Sequence, residues 1–244
     1  MSIKKHIPNS ITSMNLLCGI VGVICTLHGE LALAFLLMLL ASVFDFCDGL
    51  AARLLKAYSP IGKELDSLAD MVSFGVLPAL MLVQTMQMHG NTSLVSYIPL
   101  FLAIMSALRL AKFNVDDRQT TDFLGVATPT SAIICGALCS HISLTSDSWL
   151  QGGAGSPWFL PVLAVVLGLL LVSEIPMFGM KVAPGHKLLD TKRIVFLVLA
   201  VVAVVLALVV WKDICLAILL VFTVYLVENL ILYILSPHNA TRQA

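Results

Sequence analysis

Four aspartates stand in or beside apolar segments long enough to cross a membrane: Asp45, Asp48, Asp66 and Asp70. They lie in Asp45-Phe46-Cys47-Asp48-Gly49-Leu50-Ala51-Ala52-Arg53 and Gly62-Lys63-Glu64-Leu65-Asp66-Ser67-Leu68-Ala69-Asp70. An ionised carboxylate at the bilayer centre costs at least about 2.5 kcal/mol, so four together require a cationic partner. The spacing is i, i+3 for the first pair and i, i+4 for the second, which puts each pair on one helix face. The short polar link between the two helices predicts antiparallel neighbours, with all four carboxylates at one membrane depth. Bare carboxylates so placed repel one another, and hard divalent cations relieve that. Oxygen-only ligation favours Mg2+ or Mn2+ over zinc, and one bridging carboxylate would accommodate two ions. Gly49 and Ala52 share the helix surface of the aspartates and leave room for a bulky group, with Gly62 doing likewise on the facing helix. Arg53 offers a fixed cationic fork suited to phosphate. Two metals, an arginine and cleared space describe a site for a pyrophosphate-bearing substrate and in-line displacement at phosphorus.

The elements that position these residues follow from composition. The chain has 244 residues, of which 59% are apolar and 11% charged, and its mean hydropathy is +0.99. Soluble domains average roughly 25% charged residues, so the expectation is a polytopic membrane protein, an all-α bundle of about eight transmembrane helices. Apolar segments read near 11–29, 31–54, 62–87, 94–113, 124–145, 157–179, 193–211 and 213–235: a six-helix catalytic core followed by a C-terminal hairpin. His28-Gly29-Glu30, Ser59-Pro60, His89-Gly90-Asn91 and Gly152-Gly153-Ala154-Gly155-Ser156-Pro157 separate the earlier segments. No soluble domain, long linker or internal repeat interrupts them, so residues 1–244 read as a single integral-membrane domain. The bilayer is the expected surrounding and no nucleic-acid partner is expected.

Orientation follows from Lys and Arg. With this order of segments, all but Lys212 of the fourteen basic residues fall on one side. The positive-inside rule then places both termini and the aspartates at the cytoplasmic side. Met1 to Ser10 reads as a short surface lead-in to the first helix. Leu17-Cys18-Gly19 resembles a lipoprotein cleavage site only faintly, because the segment continues as a membrane helix. The six cysteines show neither disulfide nor zinc spacing and read as small core residues. The six histidines, scattered at segment ends, are given no role.

The pattern Asp45-x2-Asp48-Gly49-x2-Ala52-Arg53-x8-Gly62-x3-Asp66-x3-Asp70 resembles the signature of the CDP-alcohol phosphatidyltransferases, with every position filled. The resemblance implies a membrane enzyme that moves a phosphatidyl group from a CDP-lipid to an alcohol and releases CMP. It implies that Asp45, Asp48 and Asp66 bind two divalent ions, and that Asp70 contacts a metal and acts as general base. It implies nucleotide contacts from Gly49, Arg53 and Ser59, and a homodimer, for which Gly19 and Gly22 are candidate small-residue contacts. Ala52, Gly62, Asn9 and Thr12 are read with them as CDP-lipid contacts, the alternative for Asn9 and Thr12 being a helix N-cap region.

Three further segments bear on the acceptor alcohol: 8–15, Arg109-Leu110-Ala111-Lys112-Phe113-Asn114 with Phe123 to Pro129, and Ser173 to Lys181. They resemble the phosphatidylserine synthase branch of the family, in a bacterial or archaeal cytoplasmic membrane, with Lys112 and Ala127 as departures. Serine would bring a carboxylate, for which Arg109 is the natural bidentate partner, and Asn114 and Lys181 are further candidate contacts. In this reading Asp70 takes the serine hydroxyl proton and the oxygen attacks phosphorus. The alternatives are another acceptor, glycerol 3-phosphate or an inositol phosphate, and, in a different class, a divalent-cation transporter.

Overall fold

The computed structural model describes residues 6–115, 123–145, 149–177 and 191–235. Helix α1 spans His6–Leu27, α2 Leu31–Leu54, α3 Pro60–Met88 and α4 Leu94–Val115. After them come α5 at Thr128–Leu144, the short α6 at Trp149–Gly155 and α7 at Phe159–Val172. The last pair is α8, Thr191–Leu206 continued by a wider turn over Ala207–Trp211, and α9, Ile214–Leu235. Six of these helices are long and apolar enough to cross a membrane, and α5 and α7 are shorter apolar helices. The protein is therefore an integral membrane helical bundle with eight apolar segments, as the hydropathy pattern predicts.

Two residues of strand, β1 Phe123–Leu124, pair antiparallel with β2 Pro176–Met177. Gly125 follows with φ +74°, and a Cβ there would stand 2.6 Å from the Leu171 carbonyl oxygen. Only glycine allows that approach. It lets the Gly125 and Val126 amides donate to the carbonyls of Ile175 and Leu170 at 2.9 and 3.1 Å. The chain is thereby turned so that α5 starts at Thr128, beside Arg109.

Helix α5 is the centre of the bundle. Every residue from Ser131 to Ile142 is buried, and small residues such as Gly136 let Phe35 of α2 approach its backbone. Outward, residues such as Val198, Val201, Val202 and Val205 on α8 are exposed, as lipid-facing positions should be.

Two expectations change here. Residues His6 to Ser10 form the first turns of α1 instead of a surface lead-in, and Pro8 is buried. Proline is tolerated there because first-turn N–H groups have no helical partner anyway. Gly19 and Gly22 face inward: a Cβ on Gly19 would strike Ser73 Oγ, and one on Gly22 would strike Leu77 at 2.8 Å. Their smallness lets α1 lie against α3 within one protomer.

Candidate functional site

Helix α1 packs along α2 and also against the first part of α3, whereas α2 and that part of α3 scarcely touch. The antiparallel neighbours expected from the short link are therefore splayed, with α1 closing the gap between them. The splay makes a cavity of about 510 Å3. Asn9 and Thr12 of α1, Asp48, Gly49 and Ala52 of α2, and Ser59, Gly62 and Asp66 at the start of α3 all line it. Arg53 does not: it sits exposed in the last turn of α2. Helix geometry explains the difference, because Gly49 and Ala52 share a face that position 53 leaves by about 100°.

Two glycines do different work. A Cβ on Gly49 would meet nothing within 4 Å among the described residues, so this position is cleared space. The room beside Gly62 is already filled, since a Cβ there would stand 3.0 Å from both Asn9 Oδ1 and Ser59 Oγ. Ser59 is the N-cap of α3. Its Oγ accepts from the Gly62 amide at 3.0 Å, ahead of Pro60 in the first turn.

Asp45, Asp48 and Asp66 each bring an oxygen within 4.8 Å of the others. At an effective dielectric of about 20, each such pair of full charges repels by more than about 3 kcal/mol. Asp48 Oδ2 and Asp66 Oδ1 are buried and have no hydrogen-bond partner among the described residues. An all-oxygen donor set with orphaned buried acceptors fits a hard divalent cation. Asp70 stands one turn beyond Asp66 and is held differently, since its Oδ1 accepts from Asn15 Nδ2 at 3.1 Å. Directly after it α3 widens into a π-type turn over Met71–Val76, whose Ser73 Oγ donates to the Asn15 carbonyl at 3.1 Å.

Arg109 comes from the far side, on α4, where only 8% of it is exposed. Its Nη1 donates to Thr128 Oγ1 at 2.9 Å, its guanidinium lies 5.9 Å from the centroid of the Phe113 ring, and its Nε has no partner among the described residues. It also lies within electrostatic reach of Asp70. Asn114 is turned to α3 instead: its Nδ2 donates to Ser67 Oγ at 2.8 Å, and its carbonyl accepts from Lys63 Nζ at 2.8 Å. Lys112 pairs with Glu174 at 3.2 Å on the exposed surface, where such pairs contribute about 0–1 kcal/mol. Lys181 lies outside the described residues.

Three side chains near this site carry no role in the sequence reading: Asn15, Ser67 and Thr128. Asn15 had a legible signal, a carboxamide one turn after Thr12 in an otherwise apolar helix. The histidine reading also needs correction. His141 is buried, and its Nδ1 lies 2.6 Å from Asp213 Oδ2. Asp213 Oδ1 in turn accepts from the amides of Cys215 and Leu216, at 2.7 and 3.0 Å, and so caps α9. This pair fastens the C-terminal hairpin to α5, at the end of the bundle away from the aspartates.

The chain matches the CDP-alcohol phosphatidyltransferase family model over residues 5–170 and belongs to that family. The family uses divalent metal ions, in keeping with the carboxylate cluster. Among its relatives is a CDP-diacylglycerol–serine O-phosphatidyltransferase of Mycobacterium leprae, 34% identical over 180 residues, which are 70% of this chain and 57% of that protein. Proteins of the same name from Bacillus subtilis and Methanocaldococcus jannaschii are 36% and 32% identical over 125 and 176 residues. Those spans are 51% of this chain and 70% of the Bacillus protein, and 71% of this chain and 75% of the archaeal one. The chain thus spans well under two thirds of the mycobacterial relative.

Proposed function

We propose that this protein transfers a phosphatidyl group from CDP-diacylglycerol to the hydroxyl of L-serine, giving phosphatidylserine and CMP. The observation that carries the reading is the convergence of Asp45, Asp48 and Asp66, two of them lining a cavity of about 510 Å3. That size is ordinary for a small-molecule site, here open to a nucleotide headgroup whose acyl chains stay in lipid.

Asp45, Asp48 and Asp66, with Asp70, would hold two divalent ions, Mg2+ or Mn2+. Bound there, the ions supply positive charge to the pyrophosphate and to the departing phosphate. Asn9, Thr12, Gly49, Ala52, Ser59 and Gly62 wall the nucleotide. Arg53, exposed at the end of α2 and outside the cavity lining, is kept as a phosphate contact. Asp70, oriented by Asn15, takes the proton from the serine hydroxyl. The serine oxygen bonds to the phosphorus bearing diacylglycerol, and the bond from that phosphorus to CMP breaks with its electron pair going to CMP. A general base so placed contributes about 10²–10⁴ in rate.

Arg109 pairs with the serine carboxylate. Among the described residues it is the one buried Lys or Arg, which favours an acceptor with one carboxylate over one carrying a phosphate. Asn114 holds α4 on α3 through Ser67, and Lys181 is kept as a serine contact. The sorting of basic residues favours a cytoplasmic site and cytoplasmic termini, in a bacterial or archaeal membrane. Residues 1–244 act as one domain, in a homodimer that cross-linking in membranes tests.

The assay is purified protein with CDP-diacylglycerol and each candidate alcohol in turn, read as CMP release. Serine-dependent release supports the reading and rejects a cation transporter. Near-normal turnover in metal-loaded Asp70→Asn contradicts the base assignment, and an unchanged serine KM in Arg109→Ala contradicts the carboxylate assignment.

A further inference from the structure

Buried polar atoms in folded proteins nearly always have a hydrogen-bond partner. Here, among the described residues, four without one stand on helices packed against the π-type turn that follows Asp70. They are Asn15 Oδ1 on α1, Ser106 Oγ and Arg109 Nε on α4, and Ser131 Oγ on α5. Asn15 and Ser106 are 0% exposed, and Ser131 is 1% exposed. Ser106 stands one turn before Arg109 and faces the turn itself, its Cβ lying 3.1 Å from where a Cβ on Gly75 would be. Ser131 stands one turn after Thr128, the partner of Arg109 Nη1. Such π-type turns are frequent at functional sites.

The hydrogen-bonding characters of these atoms differ in a useful way. Arg109 Nε can only donate, and it carries positive charge. Asn15 Oδ1, a carbonyl oxygen, can only accept, and the bond from Nδ2 to Asp70 fixes which end of the carboxamide it is. One residue thus offers a donor for an anion and the other an acceptor for a cation, and both lie beside the carboxylate proposed as general base. A small zwitterion matches that pair, with its hydroxyl at Asp70. We infer that Asn15 Oδ1 binds the ammonium group of the acceptor, making Asn15 the residue that selects an amino alcohol over an alcohol without nitrogen. The Ser106 and Ser131 hydroxyls complete the polar lining. The inference rests on serine being the acceptor, and it adds the ammonium contact that this reading leaves without a residue.

The test uses full-length protein in detergent or vesicles with Mn2+, CDP-diacylglycerol and L-serine, with 3-hydroxypropionate as competitor. That competitor keeps the carboxylate and hydroxyl of serine and lacks its ammonium. Losing a hydrogen bond to a charged group predicts a serine KM raised about tenfold to a hundredfold in Asn15→Ala. Because Asn15 also orients Asp70, kcat falls as well, while the inhibition constant of 3-hydroxypropionate and the KM for CDP-diacylglycerol are expected to stay at wild-type values. A purely structural role would weaken serine and 3-hydroxypropionate together, and that result overturns the inference, as does an unchanged serine KM. Should Asn15→Ala not fold, Ser106→Ala carries the test at little cost in volume. It is expected to raise the serine KM several-fold with the competitor unaffected, and equal weakening or no change again overturns the inference. A wild-type protein that releases no CMP with serine refutes the acceptor assignment and this inference with it. Serine-dependent release with undiminished discrimination in the variants refutes this inference alone.

Discussion

Asn114 Nδ2 donates to Ser67 Oγ at 2.8 Å, tying the last turn of α4 to the α3 turn that carries Asp66 and Asp70. Lys63 Nζ, bonded to the Asn114 carbonyl at 2.8 Å, makes the tie a double one. Asn114 therefore fixes the spacing between Arg109 and the acidic face. For Asn114→Ala we expect a stability loss of about 1 kcal/mol, a lower kcat and an unchanged serine KM. Thermal unfolding and serine titration read all three, and a KM effect alone would return Asn114 to the acceptor pocket.

The two glycines of the signature should respond in opposite ways. Gly49→Ala places its methyl in open space and removes a helix-interior glycine, so stability should rise by up to about 1 kcal/mol while affinity for the CDP-lipid falls. Gly62→Ala forces its methyl to 3.0 Å from Asn9 and Ser59, so it should destabilise the start of α3. Melting temperatures of the two purified variants separate the cases, and the same sign in both would contradict the geometry.

The carboxylate cluster makes a prediction independent of turnover. Without divalent ions, Asp66→Asn relieves repulsion and should melt no lower than wild type. Adding Mn2+ should raise the wild-type melting temperature and leave the variant unmoved, since an ion at 100 times its Kd stabilises by about 2.7 kcal/mol. Equal stabilisation of both proteins would place the ion elsewhere.

Much of this architecture is legible from the chain. Segments of about 20 apolar residues can only be helices in lipid, and the i, i+3 and i, i+4 spacings put each aspartate pair on one face. The splay of α2 from α3 is not legible, because it depends on α1 lying between them, and long-range packing has no local code. The inward use of Gly19 and Gly22 escapes for the same reason. Small residues mark a close approach without saying to what. Asn15 was visible as a polar residue in an apolar helix, but its partner 55 positions away was not.

Asp213, between α8 and α9, allows a pH prediction. Burial pushes its carboxyl up, but the Leu216 amide, His141 and the Cys215 amide outweigh that and hold it below the usual carboxylate range. A depressed value means stability that is present above the ordinary carboxylate range near pH 4 and is lost as the pH falls through the folded-state value. Asp213→Asn should therefore melt below wild type at pH 7, with the gap closing in acid. A gap independent of pH would show that the carboxylate's charge does not matter to the His141 link.

The most direct test of the central claim is CMP release from CDP-diacylglycerol by the purified protein, with and without L-serine. The account predicts release that requires both serine and a divalent cation, yields phosphatidylserine in equal amount, and disappears in Asp48→Asn. Metal-dependent release that is indifferent to serine but stimulated by glycerol 3-phosphate or an inositol phosphate would contradict the acceptor assignment. No release with any alcohol would contradict the enzyme.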